Sequence, residues 1–452
     1  MIDHGAPSEL SSSISNALPV GGAVPPKASS EVPGRAATRR KPLLRRVHTL
    51  DSMRYRDFRR LWTANFSLSG AAWLQDLVVG WLTFDRTGSP FLTAMAVGLV
   101  TLPYFFAAPL GGLVADLCDR RKLIAAAGVY QALVTSGFAA LLIFDVLETW
   151  HIFVYILAIG VSWAMSEPAR AAAVPDIVPK RGLVNAFALN ALAFNSTRLF
   201  APGIAGLLIL WVGPGRTLLF GTALYLVASL TALGMQMKPR ETTEGTASKG
   251  VSRLVEAARY VFSEPLMRLV IGLSALQLLI VMPFVQGLLP VYAAEVFEMG
   301  PAGLGLLMSS LGAGAAIATI TLATLGEVAR KGRFLLVAMS ANLLAMVTLS
   351  QSGGMLPPVP AMLMLGASMA VQFSIGGAIV LGMTPASMRG RVSALSMITL
   401  GLFPVGALVA GGLAEVLAPQ VATLLGAGAM AVILVALRRH LTRLWQLNEV
   451  EV

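Results

Sequence analysis

Residues 61–84 read LWTANFSLSGAAWLQDLVVGWLTF. A helix of this length, rising about 1.5 Å per residue, crosses the ~30 Å hydrocarbon layer of a bilayer. The stretch carries one charge, Asp76, near its middle. A charge at that depth costs a few kcal/mol even on lenient insertion scales, so it is kept for a reason. Eleven similar stretches follow, near 91–114, 123–145, 150–169, 184–210, 216–236, 267–294, 301–325, 334–350, 357–382, 391–415 and 418–437. The stretch 334–350 is short and ends in the polar run Ser350, Gln351, Ser352. One other charge lies deep in any of them: Arg198, in the fifth, opposite in sign to Asp76.

Composition agrees with a membrane class. Hydrophobic residues make up 56% of the chain and charged residues 13%, against about 25% charged in soluble domains. Mean hydropathy is +0.73. The net charge of +11 is distributed by side. With both termini placed in the cytoplasm, all of the 34 Lys and Arg except Arg86, Arg198 and Arg216 fall in cytoplasmic segments. The opposite loops hold Asp85, Asp145, Glu148, Glu295, Glu298 and Glu415. This is the positive-inside pattern, and it requires an even number of spans. The basic balance is therefore topological, and no nucleic-acid partner is expected.

Other chemistries are disfavoured. The single cysteine, Cys118, cannot form an intramolecular disulfide. His4, His48, His151 and His440 fall in tails or at a helix end, so no histidine-built metal or proton site is expected in the membrane. No glycine-rich phosphate loop ending in Lys-Ser/Thr occurs, so ATP is not expected as direct fuel. Residues 1–53 lack the apolar core of a signal peptide. They are rich in Ser, Ala, Pro and Arg and read as a disordered cytoplasmic tail, with a targeting segment or a true start at Met53 as alternatives.

The expected layout is the 1–53 tail, a six-helix half at 54–237, a linker at 238–266, a second six-helix half at 267–440 and a tail at 441–452. The linker begins polar and turns amphipathic. Val251, Leu254, Val255, Ala258, Val261 and Phe262 recur at helical spacing against Arg253, Glu256 and Arg259, which predicts a helix on the inner membrane surface joining the halves. The halves carry a weak repeat. Arg181-Gly182-Leu183-Val184-Asn185-Ala186 leads into span five, and Arg389-Gly390-Arg391-Val392-Ser393-Ala394 into span eleven. The same offset carries Gly203 onto Gly411. Duplicated halves with a site between them mark transporter folds.

The loop after span two reads Gly112-Leu-Val-Ala-Asp116-Leu-Cys-Asp119-Arg120-Arg121-Lys122. It resembles the cytoplasmic signature loop of the major facilitator superfamily, departing from it at Leu117, Cys118 and Asp119. A positive-inside loop alone would also be basic. The resemblance adds a gating role for Gly112, Asp116, Asp119, Arg120 and Arg121: a cytoplasmic contact that holds the halves together facing outward and breaks facing inward. Further stretches resemble the transmembrane secretion effector branch, which includes the enterobactin exporter and macrolide efflux proteins. They are Trp73-Leu-Gln75 with Gly80-Trp-Leu and Thr87-Gly88-Ser89; Glu167-Pro168-Ala-Arg170 with Pro175-Asp176; Asn195-Ser-Thr-Arg198 with Pro202-Gly203-Ile-Ala-Gly206; and Leu289-Pro290-Val-Tyr-Ala. The similarity runs over about 54–440. It implies an all-α membrane protein of twelve transmembrane helices in two pseudo-symmetric halves, exporting a siderophore or drug-like molecule by alternating access, with the proton gradient as energy source and no other cofactor. Uptake, and a non-transporting scaffold or sensor with the same fold, are the alternatives; an enzyme is not expected.

Three roles stand open for Asp76 and Arg198: a static ion pair, a proton site, and direct substrate recognition. Burial and a neighbouring cation push a carboxylate's proton affinity in opposite directions, so the pair alone does not choose among them. Gln75, Asn190, Asn195, Gln277, Gln286 and Gln372 are candidate cavity lining, with helix–helix hydrogen bonds as the competing role. Pro202, Gly203 and Gly206 resemble a helix-bending motif of proton antiporters, though Ala201 stands where that motif has glycine, and close packing explains them equally. The expected partners are a small-molecule substrate and the lipid bilayer, the expected place is the bacterial inner membrane, and the chain is expected to act as a monomer.

Overall fold

The fifth and sixth expected spans form one run of 51 residues, Leu183–Leu233, made of two helices joined at a kink. At about 1.5 Å per residue it is more than twice as long as the ~30 Å hydrocarbon layer is thick, so it must turn. It does so at Gly213, whose φ of 81° and ψ of 166° suit glycine alone, with Pro214 next. This computed structural model describes residues 50–236, 250–325, 330–353, 358–385 and 388–445. Among them, ten helical stretches are long and apolar enough to cross a membrane, Leu183–Leu233 counting once. Span one, Arg56–Thr87, is 32 residues long but diluted by Asn65, Gln75 and Asp76. With span one and the turn at Gly213, the fold is an all-α array of twelve transmembrane helices in two six-helix halves, without a strand among the described residues.

Several spans are less regular than their hydropathy suggests. Span two breaks at Val100–Thr101 into Pro90–Leu99 and Leu102–Leu117, because Pro103 cannot donate into a continuous helix. Gly160 of span four lies against the break; a Cβ there would sit 2.5 Å from the Val100 carbonyl oxygen. Span seven, Pro265–Val296, contains three π-helical turns. Span eleven changes pitch at Thr399–Gly401, between Arg389–Ile398 and Leu402–Leu417. Spans three, four, eight, nine, ten and twelve are Arg120–Ile143, Thr149–Ile177, Gly300–Leu325, Lys331–Gln351, Pro358–Met383 and Pro419–Ala436.

The halves cross where span five packs on span eight and span two on span eleven. Small residues make both crossings. A Cβ on Gly206 would lie 2.5 Å from the Pro301 carbonyl oxygen, one on Gly312 2.6 Å from that of Arg198, and one on Gly411 2.9 Å from Ala94 Cβ. Gly203 donates its backbone N–H to Ser309 Oγ at 3.0 Å. Gly203 and Gly411, equivalent in the repeat, thus occupy equivalent crossings.

The repeated RG segments also have matching roles. Each holds the chain that enters its own half. Ser52 donates from its backbone N–H to Asn185 Oδ1 at 2.9 Å and from its hydroxyl to the Gly182 carbonyl at 3.2 Å. Arg391 pairs with Glu256 of the linker helix Gly250–Ser263 at 2.8 Å. That helix buries Ala257 and Val261 and leaves Val255 and Phe262 exposed. Two boundaries move. The first half starts at the short helix Asp51–Arg54 rather than at 54, and a final helix, Arg438–Trp445, crosses the expected limit at 440. The tail at 1–49 and the polar linker at 237–249 lie outside the described residues.

Candidate functional site

Asp76 falls near the middle of span one and Arg198 near the middle of the part of Leu183–Leu233 before its turn. Both line one small cavity of about 50 Å³, together with Trp73, Gln286, Met308 and Leu311. A second cavity of about 150 Å³ shares Trp73, Asp76, Val97 and Gln286 with the first and extends past Thr101, Met282 and Phe403. Their mixed lining, apolar with a few placed polar groups, is that of a small-molecule site, though in this conformation the space is small. The place also fits, since substrate sites of repeat-built transporters lie between the halves near mid-membrane.

Asp76 and Arg198 share this space without touching. No ion pair of 4.0 Å or less and no hydrogen bond joins them, and neither makes one to another described residue. Arg198 instead lies over the Trp73 ring, 5.4 Å from its centroid, a cation–π contact. Phe194, one turn earlier on span five, packs on the same ring at 5.8 Å. Trp73 is therefore braced by Phe194 and Arg198. The indole Nε1 of Trp73 and Nε of Arg198 are both buried without a hydrogen-bond partner. The static ion pair is thus not the arrangement of this conformation. Pro202, four residues after Arg198, has no N–H to offer the Arg198 carbonyl, and Gly312 of span eight packs against that oxygen.

The other candidates separate into lining and glue. Gln286 lines both cavities, and its amide nitrogen lies 4.0 Å from Met369 Sδ. Gln75 lines the second cavity but accepts a hydrogen bond from the Tyr225 hydroxyl of span six at 3.0 Å. Gln372 is fully engaged elsewhere: its oxygen accepts from Asn342 at 3.1 Å and its nitrogen donates to the Leu273 carbonyl at 2.9 Å, joining spans nine, ten and seven. Asn190 bonds Asn65 across spans one and five at 3.4 Å. Gln277 is buried, and neither it nor Asn195 lines these cavities. Pro202 lines the first cavity, while Gly203 and Gly206 serve the crossing with span eight.

In the signature loop, the side chains of Gly112 and Asp116 lie outside the described residues. Asp119, Arg120 and Arg121 make contacts within the first half. Asp119 caps span three by accepting from the Arg121 backbone N–H at 2.9 Å. Arg120 is nearly buried and pairs with Asp176 of span four. Arg121 donates to the Met235 carbonyl at 3.2 Å. Glu167 and Arg170 form a further ion pair inside span four, with Arg170 over the Trp163 ring at 4.4 Å. At the opposite, acidic end the halves touch. A Cβ on Gly80 of span one would meet Pro290 of span seven at 2.9 Å. Glu415 of span eleven accepts hydrogen bonds from the Ser89 hydroxyl at 2.8 Å and the Phe91 backbone N–H at 3.0 Å, at the start of span two.

Two six-helix halves around a mid-membrane cavity define a major-facilitator transporter, not an enzyme. The chain belongs to the transmembrane secretion effector family, whose model matches residues 47–452. Among curated relatives, the enterobactin exporter EntS of Shigella boydii serotype 4 is 27% identical over 343 residues, covering 74% of this chain and 79% of its own. That of Citrobacter koseri is 26% identical over the same shares. Among solved structures, the nucleoside transporter NupG is similar with a TM-score of 0.69 at 15% identity, covering 87% of this chain and 100% of its own. A bacterial homologue of the human lysosomal transporter Spinster, in an inward-facing and unoccupied conformation, gives a TM-score of 0.58 at 17% identity over 88% and 98%. These structural likenesses establish the fold.

Proposed function

We propose that this transporter exports a small organic molecule, siderophore-like or drug-like, across the bacterial inner membrane in exchange for protons, with both termini and the basic end cytoplasmic. The observation that carries the reading is the unpaired Asp76 carboxylate facing the cavity between the halves. A carboxylate neutralised by a salt bridge has little use for a proton. One outside such a lock is free to exchange it, and here Arg198, the other charge lining the cavity, lies over Trp73 instead. In this cycle substrate enters from the basic end while the acidic end is shut. Reorientation exposes Asp76 to the outside, where a proton takes the place of the departing substrate. The curated relatives named enterobactin exporters support the direction and the substrate size.

The test is untargeted mass spectrometry of medium and cell contents. A strain lacking the gene is compared with the same strain carrying wild type or Asp76→Asn at equal protein levels. The expected result is one compound that accumulates inside without the gene, leaves with wild type and stays with Asp76→Asn. Equal export by Asp76→Asn would remove the proton role, and no change in any compound would remove export of a native metabolite.

A further inference from the structure

The cavity wall is chemically unequal. Its charged and unpartnered polar groups come from the first half: Asp76 and Trp73 on span one, Arg198 on span five. The second half contributes Leu289, Pro290, Leu304, Met308 and Leu311, with Gln286 as its polar exception. Halves related by a sequence repeat have thus diverged: both charges of the wall come from the first half and none from the second.

The polar wall has a further property. Ionised, Asp76 offers only acceptor oxygens, while Arg198 and the Trp73 indole offer only donors. Both donors have a buried nitrogen without a partner, and burying such groups unpaired is costly. Acid and base do not satisfy each other, yet they face the same space. A purely anionic ligand would answer Arg198 and meet repulsion at Asp76; a purely cationic one would do the reverse. A head that is neutral overall, with a donor on one side and an acceptor on the other, answers both.

We infer that the two halves divide recognition of one ligand: the first half binds a charge-balanced donor–acceptor head through Asp76, Arg198 and Trp73, and the second half holds an apolar body. The ligand class is a net-neutral or zwitterionic amphipathic organic molecule. This rests on the transport reading above and deepens it, because a donor on the head occupies the carboxylate that a proton would otherwise take. Substrate and proton then compete for Asp76, as exchange requires.

The test uses the full-length protein in lipid nanodiscs and three dansyl probes of one scaffold, whose fluorescence rises in an apolar site. Dansyl-lysine carries a zwitterionic head, dansylcadaverine only the ammonium, and dansyl-aminohexanoic acid only the carboxylate. Dansyl-lysine should bind at least about tenfold more tightly than either singly charged probe, the scale of one hydrogen bond to a charged group. Asp76→Asn should remove its advantage over the carboxylate probe. Arg198→Gln should remove its advantage over the ammonium probe. Leu304→Ala should weaken all three alike. Elution profile and thermal transition verify that each variant is folded. The inference is overturned if a singly charged probe binds as tightly as dansyl-lysine, if the advantage survives both head substitutions, or if wild type binds none of the three. Binding is read without transport, so failure of the export comparison leaves these affinities interpretable, and failure here leaves export standing.

Discussion

A polar side chain in a transmembrane helix has two outlets, a cavity or a neighbouring helix, and residue type does not say which. Gln372 and Gln286 illustrate the split. Gln286 faces the cavity, whereas Gln372 is bonded to Asn342 and to the Leu273 carbonyl. Gln372→Ala should therefore cost stability, about 1–3 kcal/mol for the stranded amide of Asn342, and leave ligand affinity of the folded protein unchanged. A thermal unfolding series alongside dansyl-lysine titration checks both halves of that statement; weakened binding without lost stability would place Gln372 in the site after all. The same ambiguity limits what sequence can show. Asp76 and Arg198 stand out because charges at bilayer depth are rare. In the sequence Trp73 stands out only as part of a resembling stretch, and its position between Phe194 and Arg198 needs the crossing of spans one and five. Leu304 and Met308 carry no signal at all, since an apolar residue in an apolar helix does not reveal whether it faces lipid, core or cavity.

At the scale of elements, hydropathy locates spans well and their internal geometry poorly. A window average passes smoothly over the break at Val100–Thr101, which lies in apolar sequence, whereas the turn at Gly213 falls in the Gly213-Pro214-Gly215 run between the expected spans 184–210 and 216–236. Chain length demands the second as well: no single straight helix of 51 residues fits a bilayer. Glycines divide in the same hidden way. A Cβ on Gly366 of span ten would lie 1.8 Å from the Leu311 carbonyl oxygen of span eight, while around Gly428 of span twelve nothing lies within 4 Å. Backbone cannot yield as a flexible side chain does, so Gly366→Ala must separate two helices that pack through this contact. Gly428→Ala adds a methyl to open space and removes the helix penalty of glycine. The expected outcome is loss of folded protein or a clear fall in Tm for Gly366→Ala, and a change between neutral and about 1 kcal/mol more stable for Gly428→Ala. Thermal unfolding in a common detergent decides; equal behaviour would mean that spans eight and ten do not pack as closely as this.

At the scale of the whole molecule, alternating access requires that one end of the cavity be shut by contacts that can be given up. The three ion pairs toward the basic end described above lie within one half or between the linker helix and the second half: Arg120–Asp176, Arg170–Glu167 and Arg391–Glu256. The acidic end is different, for there Glu415 reaches from span eleven to the Ser89 hydroxyl and the Phe91 N–H of span two. The partners are more than 300 residues apart in the chain, so no local pattern announces them. The carboxylate sits where a helix N-terminus presents unpaired N–H groups and favours negative charge. Moving the halves apart at this end breaks both hydrogen bonds and separates the carboxylate from the helix end. Glu415 therefore stabilises the closed acidic end, and Glu415→Gln keeps its shape while weakening its acceptor. A loss of about 1.5 kcal/mol, the lower range for a hydrogen bond to a charged group, changes the ratio of closed to open molecules about tenfold. Val97 lines both cavities, so a Val97→Cys probe in a Cys118→Ser background reports entry from the acidic side. A membrane-impermeant maleimide added to that side should label it slowly with Glu415 present and roughly tenfold faster with Glu415→Gln. An unchanged rate would show that Gly80 against Pro290 and the glycine crossings hold this end shut without the carboxylate.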